Sequence, residues 1–111
     1  MPKLERPYGR VFALLEQAAA RGHRCPTNPQ LAVQLRLDGI HAAAGSMAAV
    51  VTELARQGRL SVRVYAHNFR TITVHSGPHA GKTTMLPPEG WQIQFVIDKD
   101  HPNRTRRRRP T

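Results

Sequence analysis

Few residues in this chain could carry covalent or metal chemistry, and their spacing does not suit it. Cys25 is the only cysteine, and neither His23 with Cys25 nor His75 with His79 supplies the ligands of a tetrahedral metal site. Glu5, Glu16, Asp38, Glu53 and Glu89 fall in separate segments, so no acid and base pair and no nucleophile with an oriented base can be assembled. The stretch Gly77-Pro78-His79-Ala80-Gly81-Lys82-Thr83-Thr84 contains the Gly-Lys-Thr of a phosphate loop. Its spacing fails, because three residues rather than four separate Gly77 from Gly81, and Pro87 and Pro88 break the helix that should follow. The expectation is a protein that is no enzyme and that needs neither metal nor cofactor. Lys82 remains as a contact for a phosphate.

Charge points to a different kind of chemistry. The chain carries a formal net charge of +10, and a lysine or arginine set against a phosphate releases a condensed counterion. Residues 1–97 hold 11 basic and 5 acidic side chains, whereas residues 98–111 hold 6 and 2, so the end of the chain is basic out of proportion to its length. Arg104 and the run Arg106, Arg107, Arg108 and Arg109 suit any polyanion: DNA, RNA or anionic lipid. A single cysteine forms no internal disulfide, and no apolar stretch is long enough to span a bilayer. Neither export nor membrane insertion is expected, and a reduced cytoplasm, in association with the nucleoid, is the expected location.

These residues need elements to position them. At 111 residues one core is expected, of α+β class. Val11, Leu14, Leu15 and Ala18 recur at helical spacing between Tyr8 and Arg21, and Gly22 stops that helix. Thr27 or Asn28 caps a short second helix, with Pro29 in its first turn and Leu31, Ala32 and Leu35 turned inward. The turn Arg36 to His41 ends it. A third helix runs from about Ala43 to Gln57 on the stripe Met47, Val50, Val51 and Leu54, and Gly58 closes it. Leu60, Val62 and Val64 then alternate with polar residues, as do Ile72 and Val74 beyond a break at Ala66 to Phe69, which predicts a tight hairpin. Ser76 to Gly90 has no period and reads as an irregular connection. Trp91, Ile93, Phe95 and Ile97 predict one more strand, and Asn103 to Thr111 lacks the apolar side chains that would offset the entropy of ordering. The expected layout is a helix and hairpin unit at 1–76, the connection at 77–90, a strand at 91–98 and a disordered basic tail at 99–111.

Three helices followed by a two-stranded hairpin is the order of the winged helix-turn-helix. The Pro26-Thr27 opening, Leu31-Ala32 to Leu35, Val51 to Leu54 and Gly58-Arg59-Leu60-Ser61-Val62 resemble the DNA-binding half of LexA-type repressors, and the later part is similar to MarR-type wings. The resemblance covers residues 8–75. It implies a bacterial or phage transcriptional regulator whose third helix enters the major groove of double-stranded DNA while the hairpin tip meets the flanking backbone or minor groove. The self-cleaving domain of LexA-type repressors is not expected in so short a chain. Arg36 to Ala42 is also longer than the usual turn between the two helices.

On that reading the third helix offers little to bases: its outer positions are Ala44, Gly45, Ser46, Ala48, Ala49, Thr52, Glu53 and Arg56. Reading would rest on Ser46, Thr52 and His41, with Arg56 beside them and the rest left to groove shape. The hairpin is better equipped, with Arg63, His67, Asn68 and Arg70 at or near its tip and Arg59 ahead of it. Two alternatives stand beside DNA regulation. One is a protein-interaction module, gripping polymerase or another regulator through the bland third helix; the other is non-specific nucleic-acid binding led by the arginine tail. The apolar strand at 91–97 would be an aggregation hazard if left as an edge. It is therefore expected to pair with or pack on a second copy of the chain, or else to dock on the first helix.

Overall fold

The computed structural model describes the backbone of residues 2–100 and 105–106, and the side chains of residues 7–100. Helix α1 spans Pro2–Arg21 and includes Pro7, so it begins well before the expected start at Tyr8. A proline this near the amino-terminal end deletes only one early backbone bond, and the helix continues through it. After the Gly22 stop, α2 covers Asn28–Leu37. Thr27 is its cap: the Gln30 amide donates to Thr27 Oγ1 at 3.3 Å and the Thr27 amide donates to Gln30 Oε1 at 2.9 Å, a reciprocal capping box. Helix α3, Ala44–Arg56, buries Met47, Val50, Val51, Leu54 and Ala55. At Gly58 the backbone takes φ of +78°, a conformation that glycine alone adopts freely, and the chain turns directly into the first strand.

Strands β1 (Leu60–Tyr65), β2 (Phe69–Val74), β3 (Ile93–Ile97) and the two-residue β4 (Thr105–Arg106) form one antiparallel sheet in the order β2-β1-β3-β4. Val62 lies opposite Ile72 on one side and Ile97 on the other, and Val64 lies opposite Arg70 and Phe95. Residues directly opposite share a face. Leu60, Val62, Val64, Ile72, Val74, Phe95 and Ile97 therefore form one apolar face, and all are buried in a single cluster with Val11, Leu15, Leu31, Leu35, Met47 and Leu54 from the helices. This is an α+β fold in a winged-helix-like arrangement. None of the described helices is long and apolar enough to cross a membrane.

Two expectations are corrected here. Of the strand expected at 91–97, residues 93–97 pair with β1 of the same chain rather than docking on α1, and Phe95 and Ile97 join the core beside α3. The physical reason is that β1 has two edges. A two-stranded hairpin uses one and leaves the other as an unmet row of amides and carbonyls. In the tail, Thr105 and Arg106 pair with Val96 and Phe95 instead of lacking regular structure; residues 101–104 and 107–111 lie outside the described residues.

The connection at 77–90 is irregular, as expected, but it has a task. Val74 donates to the Lys82 carbonyl at 2.9 Å and accepts from Gly81 at 2.7 Å, while Thr84 N donates to the Ile72 carbonyl at 3.0 Å. The Ile72 amide donates in turn to Thr84 Oγ1 at 2.9 Å. The outer edge of β2 is thus closed by the chain's own loop, and the Met85 amide ties that loop to the His23 carbonyl at 2.8 Å. Thr84 is 1% exposed, so losing its hydroxyl strands a buried amide. Thr84→Val is expected to lower unfolding free energy by about 1–3 kcal/mol in urea titrations, with Thr84→Ser retaining most of it. Equal midpoints for wild type and the valine variant would show that the edge closure contributes nothing.

Candidate nucleic-acid interface

The solvent side of α3 is built from Gly45, Ala48, Ala49, Thr52, Glu53 and Arg56, because the opposite stripe is buried. Ser46 and, ahead of the helix, His41 are exposed at its amino-terminal end, where no side chain caps the first turn. Thr52 is half-buried. Arg56, the only cation on this face, is engaged by Glu53: its Nε donates at 2.8 Å and its Nη2 also contacts the carboxylate, which accepts from Gln57 as well at 3.0 Å. These bonds hold the half-buried Glu53 carboxyl down at about 2. The face is consequently small and nearly neutral.

At the hairpin tip the chain turns through Ala66–Asn68, and His67 and Asn68 take φ of 62° and 57°. Two successive non-glycine residues in the left-handed region need support from their surroundings. The Ala66 amide donates to the Gln92 carbonyl at 3.0 Å, and the Trp91 ring meets His67 at 4.6 Å and the edge of Phe69 at 6.0 Å between centroids. Arg24 lies over the other aromatic partner, 4.8 Å from the Phe69 centroid. Trp91, two residues before β3, thereby holds the wing tip, a role with no local signature in the sequence.

The basic residues expected around the tip do not gather there. Arg70 shares the inward face with Val64, and its guanidinium binds the loop before α2. Nε donates to Cys25 Sγ at 3.3 Å, Nη1 to Asn28 Oδ1 at 2.8 Å and Nη2 to the Pro26 carbonyl. It is a fastener between wing and helices, not an outward contact. Arg59 sits at the base of the hairpin, stacked 4.3 Å over Phe12, and Lys82 is exposed at the same far end, its carbonyl bonded to Val74. Arg63 is exposed on the outer face of β1, between Thr71 and Val96. The side chain of Arg106, and all of Arg107, Arg108 and Arg109, lie outside the described residues. His67 and Asn68 are exposed at the tip as expected.

What the fold does bring together is a cleft of about 460 Å³ bordered by α3, the tip and the inner face of the sheet, with Thr52, Asn68 and Arg70 all on its wall. Arg24, Cys25 and Asn28 join them, and none of these three was singled out as a binding residue. Burial pushes the Cys25 thiol up, against the opposing pull of the Arg70 guanidinium and the Arg24 charge, so it stays a thiol and donates to the Pro26 carbonyl at 3.4 Å. Among the described residues no group of three or more His, Cys, Asp or Glu could hold a metal ion. No family model, curated protein or solved structure matches the chain.

Two outcomes follow from these contacts. A carboxyl-detected NMR titration should find the Glu53 midpoint near 2, and Arg56→Gln should return it towards the ordinary 4.5. Since the folded value is the depressed one, any stabilisation from Glu53 is complete above about pH 4.5 and is lost as pH falls towards 2. Arg70→Lys keeps the charge but loses the planar fork, and should cost about 2 kcal/mol in chemical denaturation. A cost no greater than that of Arg63→Lys would show that the fastening is dispensable.

Proposed function

We propose that this protein binds double-stranded DNA and acts as a transcriptional regulator in the cytoplasm, in association with the nucleoid. The observation that carries the reading is that the solvent side of α3 and the tip of the wing border one cleft, Thr52 on one side and Asn68 on the other. A groove-bound helix and a backbone-bound tip need that adjacency. The small side chains of Gly45, Ala48 and Ala49 let α3 approach bases closely, and the uncapped amides at its start suit a phosphate. His41, Ser46 and Thr52 are the residues available to base edges. Arg63, His67, Asn68 and the arginines beyond Asn103 are assigned to the backbone.

The internal engagement of Arg56, Arg59 and Arg70 sharpens the reading. Arg56 is neutralised by Glu53, Arg59 lies at the far end of the hairpin, and Arg24 and Arg70 line the cleft wall, so electrostatic affinity is assigned chiefly to the basic tail. Its sequence preference would come from α3, the tip and groove shape. The neutral Glu53–Arg56 pair also favours a second reading, in which the α3 face grips a protein.

Fluorescence anisotropy on a 30-base-pair duplex at several salt concentrations tests the proposal. Log affinity should fall linearly with log salt, and truncation after Asn103 should reduce the slope by about 4, at roughly 0.9 per phosphate contact. Residual binding by the truncated chain should weaken further with Asn68→Ala or Ser46→Ala. Affinity indifferent to salt, or a truncated chain with no DNA binding at all, would overturn it. A stable protein partner recovered without DNA would favour the second reading.

A further inference from the structure

The cleft beside α3 is more than a gap between helix and wing. Its floor is made of core side chains: Val62 and Val64 from β1, Phe95 and Ile97 from β3, and Val51 from α3. A volume of about 460 Å³ lies in the range of small-molecule sites, which are apolar cavities with a few polar groups at one end. Here the polar end is formed by the loop before α2 and by Arg70, and it is positive. Arg24 and Arg70 line the cleft, and among the described residues no carboxylate does.

Arg70 is half-buried, and each of its three partners is uncharged: a thiol sulfur, an amide oxygen and a backbone carbonyl. Among the described residues it has no ion pair. A guanidinium has five N–H groups, so these three bonds leave one on each terminal nitrogen, and hydrogen bonds from a cation to a carboxylate are among the strong ones. A half-buried cation without a counterion, set beside an apolar floor, favours an anion with an apolar body.

We propose that this cleft is a binding site for a small amphipathic monocarboxylate, its carboxylate on Arg70 with Arg24 nearby and its hydrocarbon part along Val62, Val64, Phe95 and Ile97. This is the same cleft that the DNA reading rests on, but ligand binding there is read without DNA. A ligand seated there lies against Ala48 and Thr52 of α3.

Isothermal titration calorimetry with octanoate, and with octan-1-ol as its uncharged counterpart, tests this on the full chain without DNA. Octanoate should bind one to one with Kd on the order of 100 µM, as expected for about ten non-hydrogen atoms, and the alcohol at least tenfold more weakly. Arg70→Gln should weaken octanoate tenfold or more and abolish the preference for acid over alcohol. Because Arg70 also fastens the wing, a second variant separates binding from folding. Ala48 is exposed and lines the cleft, so Ala48→Leu should leave the thermal midpoint within a few degrees of wild type while reducing octanoate affinity tenfold or more. Equal affinity for acid and alcohol, unchanged binding by Ala48→Leu, or no saturable heat at millimolar octanoate would each overturn the proposal.

Discussion

A guanidinium on the inward face of a β-strand cannot be left without acceptors, and this constraint governs the arrangement around Arg70. Its neighbours in register, Val64 and Phe95, belong to the core. The side chain must therefore find oxygen or sulfur on the helical layer, and the loop between α1 and α2 presents Cys25, Pro26 and Asn28 to it. One residue thus sets the distance between the hairpin and the start of α2. It also gives the adjoining cleft its polar end, since an aliphatic residue at that point would have extended the apolar core instead. The same side chain is lost to any outward role at the wing tip, which leaves His67 and Asn68 to face solvent there.

The second organising requirement belongs to β1. As the central strand of the hairpin's sheet it is paired on both sides, and the chain supplies everything needed to finish the two flanks: 82–84 against β2, and β4 against β3. Trp91 serves both layers of this design, because it stands just ahead of β3 and its ring supports the left-handed turn at His67 and Asn68. The wing is consequently held by its strand partner, by an aromatic contact at the tip and by Arg70 from within. Covering part of each edge with its own segments shortens the template on which a further strand could add.

Local order was legible in the sequence wherever a periodic stripe met a cap. Leu31, Ala32 and Leu35 after Thr27, and Met47 to Leu54 ahead of Gly58, specify their helices because backbone geometry there depends on near neighbours. The strand at 93–97 was legible as an element and illegible in its pairing, since alternation records which residues turn inward and not which strand lies alongside. The work of Lys82 and Thr84 at the edge of β2 could not be read either, because backbone bonds made by an irregular segment leave no pattern in side chains. Arg70 is the instructive case. It has the same parity as Ile72 and Val74, so alternation alone sets it on the inner face, yet its charge drew it into the group of outward contacts. Arg59 and Arg56 mislead in the same way, because composition does not distinguish an arginine stacked on Phe12 or paired with Glu53 from one free in solvent.

The pairing of β1 with β3 also has a consequence in time. During synthesis the segment from α1 to β2 leaves the ribosome before Ile93, and at about 5–20 residues per second the intervening chain takes on the order of seconds to follow. Throughout that interval Val62 and Val64 lack Phe95 and Ile97 beside them, and one row of β1 amides and carbonyls faces water. The nascent protein therefore passes through a stage with an open apolar flank, and completion of the sheet waits on a segment made well after β2.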